Sequence, residues 1–390
     1  MTPETFALLR TPEGVNALAA ADEVATGDPL AAASALRSRG VGPELAAAAL
    51  TQVDLRRRAA SKFGPAAERM FFTRAGLEQA TRAVVAERRA ARLAAAGVKT
   101  LADLGCGLGS DALAAASRGI FVYAVEADPV TAVMAAANAT ALGLGELIKV
   151  DCADARAIPI EGYDAVFADP ARRRAGRGRV FDPKSYSPPW DFVAGLAERV
   201  PRTVLKLAPG VDHELLPPGA EGEWVSVDGD LVEAAFWCGP LATVPRRATL
   251  LPGGHELTGS GVEAAPVGPV GAYLFDPDPA VVRSHLVAEF AAAVGGRLAD
   301  PAIAYVYADD PVDTPFGRRL EITDVLPFSL KRLRALLRER GVGRLEIRKR
   351  GSALEPDQLR RDLRLSGSEA ASLVLTRVAG APTALLCRPV

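Results

Sequence analysis

Leu101–Gly109 reads L-A-D-L-G-C-G-L-G, an apolar run that ends in an acid and then places glycines at alternate positions 105, 107 and 109. The helical A-L-A-A-A-S of Ala112–Ser117 follows at once. Glycines at this spacing let the backbone turn tightly and approach a ligand beside a helix N-terminus. Strand, glycine loop and helix predict the opening βαβ unit of a doubly wound α/β fold. A glycine-rich loop decides little alone, so its neighbours carry the argument.

F-V-Y-A-V-E, Phe121–Glu126, is a second buried-strand pattern ending in a carboxylate, where an acid can hold ribose hydroxyls. The alternative for Glu126 is to cap the helix that begins at Asp128-Pro129, a task for which Asp128 is better placed. V-D-C-A-D-A, Val150–Ala155, offers Asp154 to an adenine amino group, with Asp151 in competition and a solvated loop acid as the plain alternative for either. Asp103 either caps the turn after it or faces the ligand. Y-D-A-V-F-A-D-P, Tyr163–Pro170, delivers Asp169-Pro170 at the end of a fourth strand. Further strands are expected near 203–208, 223–228 and 231–237, the last two joined as a hairpin through Gly229-Asp230.

The chain has 390 residues, which predicts two to three domains. Hydrophobic residues make up 49% and charged residues 24%, so a globular chain is expected. A net charge of −1 excludes a global field toward nucleic acid, and any basic surface must be local. Four scattered cysteines and three histidines predict neither a disulfide framework nor a metal site. The opening M-T-P-E-T-F lacks a signal-peptide pattern, and no apolar run reaches the ~18 residues of a membrane span, so a cytoplasmic location without membrane contact is expected. Residues 1–69 carry apolar positions at helical spacing and predict a small helical region, residues 70–243 the glycine-loop domain, and residues 244–390 a further α+β domain.

The ordered set of strand, glycine loop, helix, strand, acid and Asp-Pro resembles a class I S-adenosylmethionine (SAM) methyltransferase. Nicotinamide dehydrogenases share the βαβ start, but the acid at Asp103 ahead of alternating glycines favours the methyltransferase resemblance. It implies a Rossmann-like seven-stranded sheet closed by an antiparallel edge hairpin. It also implies SAM as cofactor, with Asp103 facing the methionine amino group, Gly105, Gly107 and Gly109 shaping the loop, Glu126 on the ribose and Asp154 on adenine. Asp169 and Pro170 would position the acceptor. Amino-methyltransferases acting on bases read Asp/Asn/Ser-Pro-Pro-aromatic at this point. Here Ala171 and Arg172 replace the last two, which leaves the acceptor atom open.

Five arginines, at 172, 173, 174, 177 and 179, follow within eight residues. Arginine matches phosphate geometry, so Arg172, Arg173, Arg174 and Arg177 are candidate substrate ligands, against a solvated loop. Lys206 lies inside the fifth strand, a costly place unless it meets an acid such as Asp169. The segments G-L-E-Q-A-T-R (76–82), D-P-A-R-R (169–173) and Y-S-P-P (186–189), with the glycine loop and the C-terminal region, are similar to bacterial SAM methyltransferases carrying a THUMP-like C-terminal domain. That resemblance implies an RNA substrate, and it makes Glu78 a candidate to close over the cofactor, with a solvated helix face as the alternative. From Phe328 to Arg364 there are twelve Lys/Arg against five acids. A helix over 329–340 with one leucine face and a strand running into Lys349-Arg350 make this region a candidate RNA surface. Two other readings stay open: methylation of a small anionic metabolite or a protein, and a non-catalytic RNA-binding protein. Oligomeric state is not legible.

Overall fold

The computed structural model describes residues 1–25, 27–172 and 186–389. Four helices open the chain: α1 (Pro3–Leu9), α2 (Pro12–Val24), α3 (Pro29–Ser38) and α4 (Pro43–Phe63). Each begins with proline at its first turn, and Thr2, Thr11 and Asp28 cap the first three by accepting from backbone N–H groups. Proline has no N–H to leave unpaired there and its φ is already helical. Gly64, at φ +57°, ends α4. Two helices lead onward, α5 (Arg74–Gln79) and α6 (Ala83–Ala95).

The parallel layer comprises β1 (Thr100–Leu104), α7 (Ser110–Ala116), β2 (Phe121–Glu126), α8 (Pro129–Ala141), β3 (Ile148–Cys152), β4 (Ala165–Ala168), the short α9 (Trp190–Ala194) and α10 (Leu196–Arg199), and β5 (Thr203–Leu207). The strands lie in the order β3-β2-β1-β4-β5, all parallel. The order reverses between β1 and β4, so the loops leaving these two strands diverge and open a crevice at their carboxyl ends. One apolar cluster runs from Phe6 and Leu9 through Phe72 and Leu101 to Trp237. The N-terminal helices therefore share a core with the sheet. The chain divides into two compact units, the first holding Met1–Leu207, Val211–Ala220 and Ala235–Ala242. This division does not follow the expected boundary at residue 69.

The second unit holds Ala208–Gly210, Glu221–Ala234 and Thr243–Val390. The expected hairpin is present as β6 (Glu221–Val227) and β7 (Asp230–Trp237), turning through Asp228 and Gly229 at φ +53° and +82°. Two left-handed residues match the twist of a two-residue hairpin. The hairpin does not close the sheet at an edge, as the resemblance implied. β8 (Arg246–Leu251) pairs in parallel with β6, and β9 (His255–Gly259) pairs antiparallel with β8. Residues expected to open a separate C-terminal domain thus continue the ladder of β6.

Beyond them lie β10 (Tyr273–Pro277), α11 (Pro279–Arg283), α12 (Val287–Ala293), β11 (Arg297–Leu298), β12 (Val306–Ala308) and β13 (Gly317–Pro327). The unit ends with α13 (Leu330–Glu339), β14 (Val342–Lys349), α14 (Pro356–Leu363), β15 (Glu369–Val378) and β16 (Ala381–Pro389). Seven strands form a second sheet in the order β11-β12-β10-β13-β16-β15-β14. Alternate residues of β15 and β16 feed opposite faces: Leu373, Leu375, Ala384 and Leu386 join α13 and α14, whereas Val374, Leu385 and Cys387 pack with Tyr305 and Tyr307. That alternation is the period-two rule of a strand covered on both sides. Among the described residues no helix is long and apolar enough to cross a membrane.

Candidate active site

The crevice is built where β1 and β4 end. Gly105, Gly107 and Gly109 all adopt left-handed backbone, with φ of +89°, +55° and +90°. A Cβ on Gly105 would stand 3.1 Å from the Asp169 carbonyl oxygen, so a side chain there would strain the backbone and crowd the β4 loop. The N–H groups of Gly105 and Cys106 both donate to Val125 O, at 2.9 and 3.0 Å, which folds the loop across the end of β2.

Asp103, the last acid of β1, is 0% exposed, and neither of its carboxylate oxygens has a hydrogen-bond partner. Burial pushes its carboxyl well above the ordinary range; repulsion from Asp111 and Asp169 adds to this, and Arg89 and Lys206 oppose it. Asp103 therefore does not cap the following turn. Asp111 has the opposite fate. Burial alone would raise it, but Arg89, Lys206 and the Thr81 hydroxyl outweigh that and hold it below the ordinary range. Arg89 forms a buried ion pair with Asp111 and lies 4.6 Å from the Phe167 ring centroid.

Lys206 does meet Asp169: Nζ lies 2.5 Å from Oδ2 and 2.9 Å from Thr81 Oγ1. The Lys206 side chain is 12% exposed and that of Asp169 34%. Pro170 is buried beside it. The carboxylate thus sits at the lip of the crevice, pinned from below.

Glu126 braces the loop, accepting from Gly107 N at 3.0 Å through Oε2 and from Asp128 N at 2.9 Å through Oε1. Asp128 caps α8, accepting from Thr131 N at 2.8 Å. Asp151 accepts from the Tyr123 hydroxyl at 2.6 Å, and that bond, with burial and the carboxylate's charge behind it, pushes the tyrosine up to about 12. Asp154 is exposed and held by Arg156, whose hydrogen bonds lower its carboxyl to about 2. Glu78 is exposed on α5.

Several residues that hold the site carry no sequence signal. Gln52 of α4 donates to Phe72 O at 2.8 Å and accepts from Phe72 N at 2.9 Å, completing the backbone bonds of an extended segment. Asn138 of α8 accepts from Phe71 N and donates to Phe71 O and Leu108 O, tying that segment to the glycine loop. Lys62 donates to the carbonyls of Leu77, Glu78 and Ala80 at 2.7, 2.9 and 3.1 Å. Polar amides and a helix-end lysine look like surface residues in a sequence, because only the fold reveals which backbone groups they satisfy.

Of the arginine run, Arg172 pairs through its backbone with Tyr186, and Arg173, Arg174 and Arg177 lie outside the described residues. In the C-terminal unit, Lys349 donates to Leu354 O and Glu355, and Arg350 to Asp276 and Pro277 O. Lys331, Arg332 and Arg338 of α13 are exposed, and their side chains have no partner among the described residues.

The switch-point crevice with its glycine loop, its orphaned buried acid and its lip carboxylate is the candidate cofactor site of this fold. The chain is 36% identical over 355 residues to an uncharacterized S-adenosylmethionine-dependent methyltransferase of Mycobacterium tuberculosis, in strain CDC 1551 / Oshkosh and in strain H37Rv alike. The match spans 86% of this chain and 95% of the relative, and the chain belongs to the SAM-dependent methyltransferase family. It is therefore a methyl-transferring enzyme with SAM as its cofactor. A candidate methyltransferase from Porphyromonas gingivalis W83 has a similar fold, with a TM-score of 0.75, 23% identity and coverage of 96% of this chain and 98% of that one. Residues 317–389 match the THUMP domain-like family, and residues 2–59 match a domain family of unknown function.

Proposed function

We propose that this chain methylates RNA, with Asp169 and Pro170 placing the acceptor. The observation that carries the reading is the Asp169 carboxylate, pinned through Oδ2 by Lys206 at the lip of the glycine-loop crevice and still partly open to solvent. When bound, SAM supplies an electrophilic methyl group on its sulfonium. Transfer then needs little acid–base machinery, and mostly asks that the acceptor be held in line. Asp169, with one oxygen engaged, offers the other to a hydrogen bond from the acceptor.

The residues present fit the cofactor. Asp103 has two buried oxygens without partners, a set that an ammonium satisfies. Glu126 keeps acceptor capacity for ribose hydroxyls beyond its two backbone bonds, and Asp154 takes the adenine end. Glu78 projects from α5, whose Gly76 packs so tightly on Leu108 that a Cβ would stand 2.9 Å from that side chain. Glycine loop and α5 are therefore in direct contact.

RNA as substrate class draws support from the THUMP domain-like match and from the exposed face of α13. Lys331, Arg332 and Arg338 project to solvent there, opposite the buried Leu333 and Leu337. Unpaired exposed cations on one helix face are suited to phosphates, each contact releasing counterions. Arg172, Arg173, Arg174 and Arg177 would add cations immediately after Asp169. Lys349 and Arg350 are already engaged within their unit and contribute less.

The test is methyl transfer from radiolabelled SAM to total RNA of a strain lacking the gene, with protein and small-molecule fractions in parallel. Label in RNA is expected, and nuclease digestion with mass spectrometry then names the nucleoside. Label only in another fraction overturns the RNA reading and assigns the arginines to a different anion.

A further inference from the structure

We propose that Thr81 is a positioning residue of the methyl-transfer site: its hydroxyl sets the Lys206 ammonium in place, and through it the Asp169 carboxylate. The proposal rests on the reading of Asp169 as the acceptor-placing group.

Thr81 lies between α5 and α6, outside the parallel sheet, and is 6% exposed. Its Oγ1 lies 2.7 Å from Asp111 Oδ2 and 2.9 Å from Lys206 Nζ. A hydroxyl has one proton to give and two lone pairs to receive with. Asp111, paired with Arg89, is an ionised carboxylate and only accepts; an ammonium only donates. The direction of each bond is therefore settled: Thr81 donates to Asp111 and accepts from Lys206. The chain of groups runs guanidinium, carboxylate, hydroxyl, ammonium, carboxylate, each oriented by the one before. At its end Lys206 holds Oδ2 of Asp169, and among the described residues Oδ1 has no hydrogen bond.

Thr81 is itself fixed from the N-terminal helices. Lys62, at the end of α4, directs donors to the Leu77, Glu78 and Ala80 carbonyls in the residues directly before Thr81. These are carbonyls at the end of α5, without partners inside the helix. The helical region thus reaches the reacting end of the crevice through two lysines and one threonine. No charge on Thr81 itself is involved, so what it contributes is position.

The decisive pair of variants is Thr81→Val, which keeps the shape and removes the hydroxyl, and Thr81→Ser, which keeps it. Each is compared with the wild-type chain for methyl transfer from labelled SAM to total RNA of the deletion strain, and for SAM affinity by calorimetry. Thr81→Val should lower kcat about 10- to 100-fold, the scale of a small misplacement of a reacting group. KM for RNA and Kd for SAM should stay within about threefold, and Thr81→Ser should recover most of the rate. An unchanged kcat in Thr81→Val, a loss confined to SAM affinity, or equal impairment in Thr81→Ser overturns the proposal.

A second readout needs no substrate. In protein labelled with 15N-lysine, the Lys206 ammonium, assigned by its loss in Lys206→Arg, should give a slowly exchanging signal in the wild type and in Thr81→Ser but not in Thr81→Val. If wild-type enzyme leaves no label in RNA, the RNA reading falls while this spectrum still decides the relay. Absence of the signal from wild type, or its persistence in Thr81→Val, refutes it.

Discussion

At the glycine loop, Arg89 is buried and Lys206 half-buried, closed upon by Asp111 and Asp169; on α13, Lys331, Arg332 and Arg338 stand in solvent with no side-chain partner among the described residues. The same residue types serve two purposes because water treats them differently. Taking a charge out of water is expensive, so a buried cation needs a carboxylate at a set distance, and the pair becomes a ruler for whatever it touches. An exposed cation loses little by waiting, so it stays adaptable and acts through affinity and salt dependence. Geometry at the crevice and attraction on α13 follow from burial, not from composition.

The two kinds of cation differ most in what they contribute to stability. Arg89→Met leaves Asp111 buried without its ion-pair partner, and should cost about 3–5 kcal/mol by denaturant unfolding. Arg338→Ala on α13 should change it by no more than about 0.5 kcal/mol. Equal effects would erase the distinction. Next in size is catalysis: Asp169→Ala should lower turnover at least about 100-fold and leave SAM affinity within about threefold by calorimetry. A parallel collapse of SAM binding would place Asp169 in the cofactor site instead.

Asp103 is a buried acid with no cation paired to it, and it makes stability depend on pH. Its carboxyl is raised in the fold above its ordinary 3.8, so between that value and its folded value the native state holds more protons than the unfolded chain. Stability from this group therefore falls as pH rises through that window, and a constant penalty remains above it. Asp103→Asn should raise the melting temperature of the ligand-free protein at neutral pH by about 2–4 °C, and the gain should vanish as pH falls toward 4. The same change should weaken SAM binding about tenfold or more, since the ammonium loses its counter-charge. A variant destabilised at neutral pH would mean that Asp103 already has a partner. The smallest effect belongs to α13: replacing Lys331, Arg332 and Arg338 together by alanine should reduce the slope of log affinity for single-stranded RNA against log salt by about 2, with the SAM Kd unchanged. An unaltered slope would remove α13 from the RNA surface.

The glycine loop, the positions of the first seven strands and the α13 helix were all legible in local pattern, because each depends on residues within one or two turns of each other. Lys206 announced itself as a charge inside a strand pattern. Thr81 lies within the G-L-E-Q-A-T-R segment, but nothing there marked its role, since it pairs with residues 30 and 125 positions away; nor was Asn138 marked, which pairs 67 positions away. Nor did the turn-rich residues after 245 reveal that β8 would extend the ladder of β6, since strand pairing is decided by where unpaired edges meet rather than by the strand's own composition.

From the amino acids alone came the doubly wound class, the glycine loop and the acid at the end of β4, since apolar period, glycine spacing and proline caps act locally on the backbone. Tertiary structure decided which acids are charged and which cations are spent. Asp103 and Asp111 are the same residue type in one crevice, and only their surroundings shift them in opposite directions, because burial cost and Coulomb attraction depend on neighbours that the chain brings together from far apart.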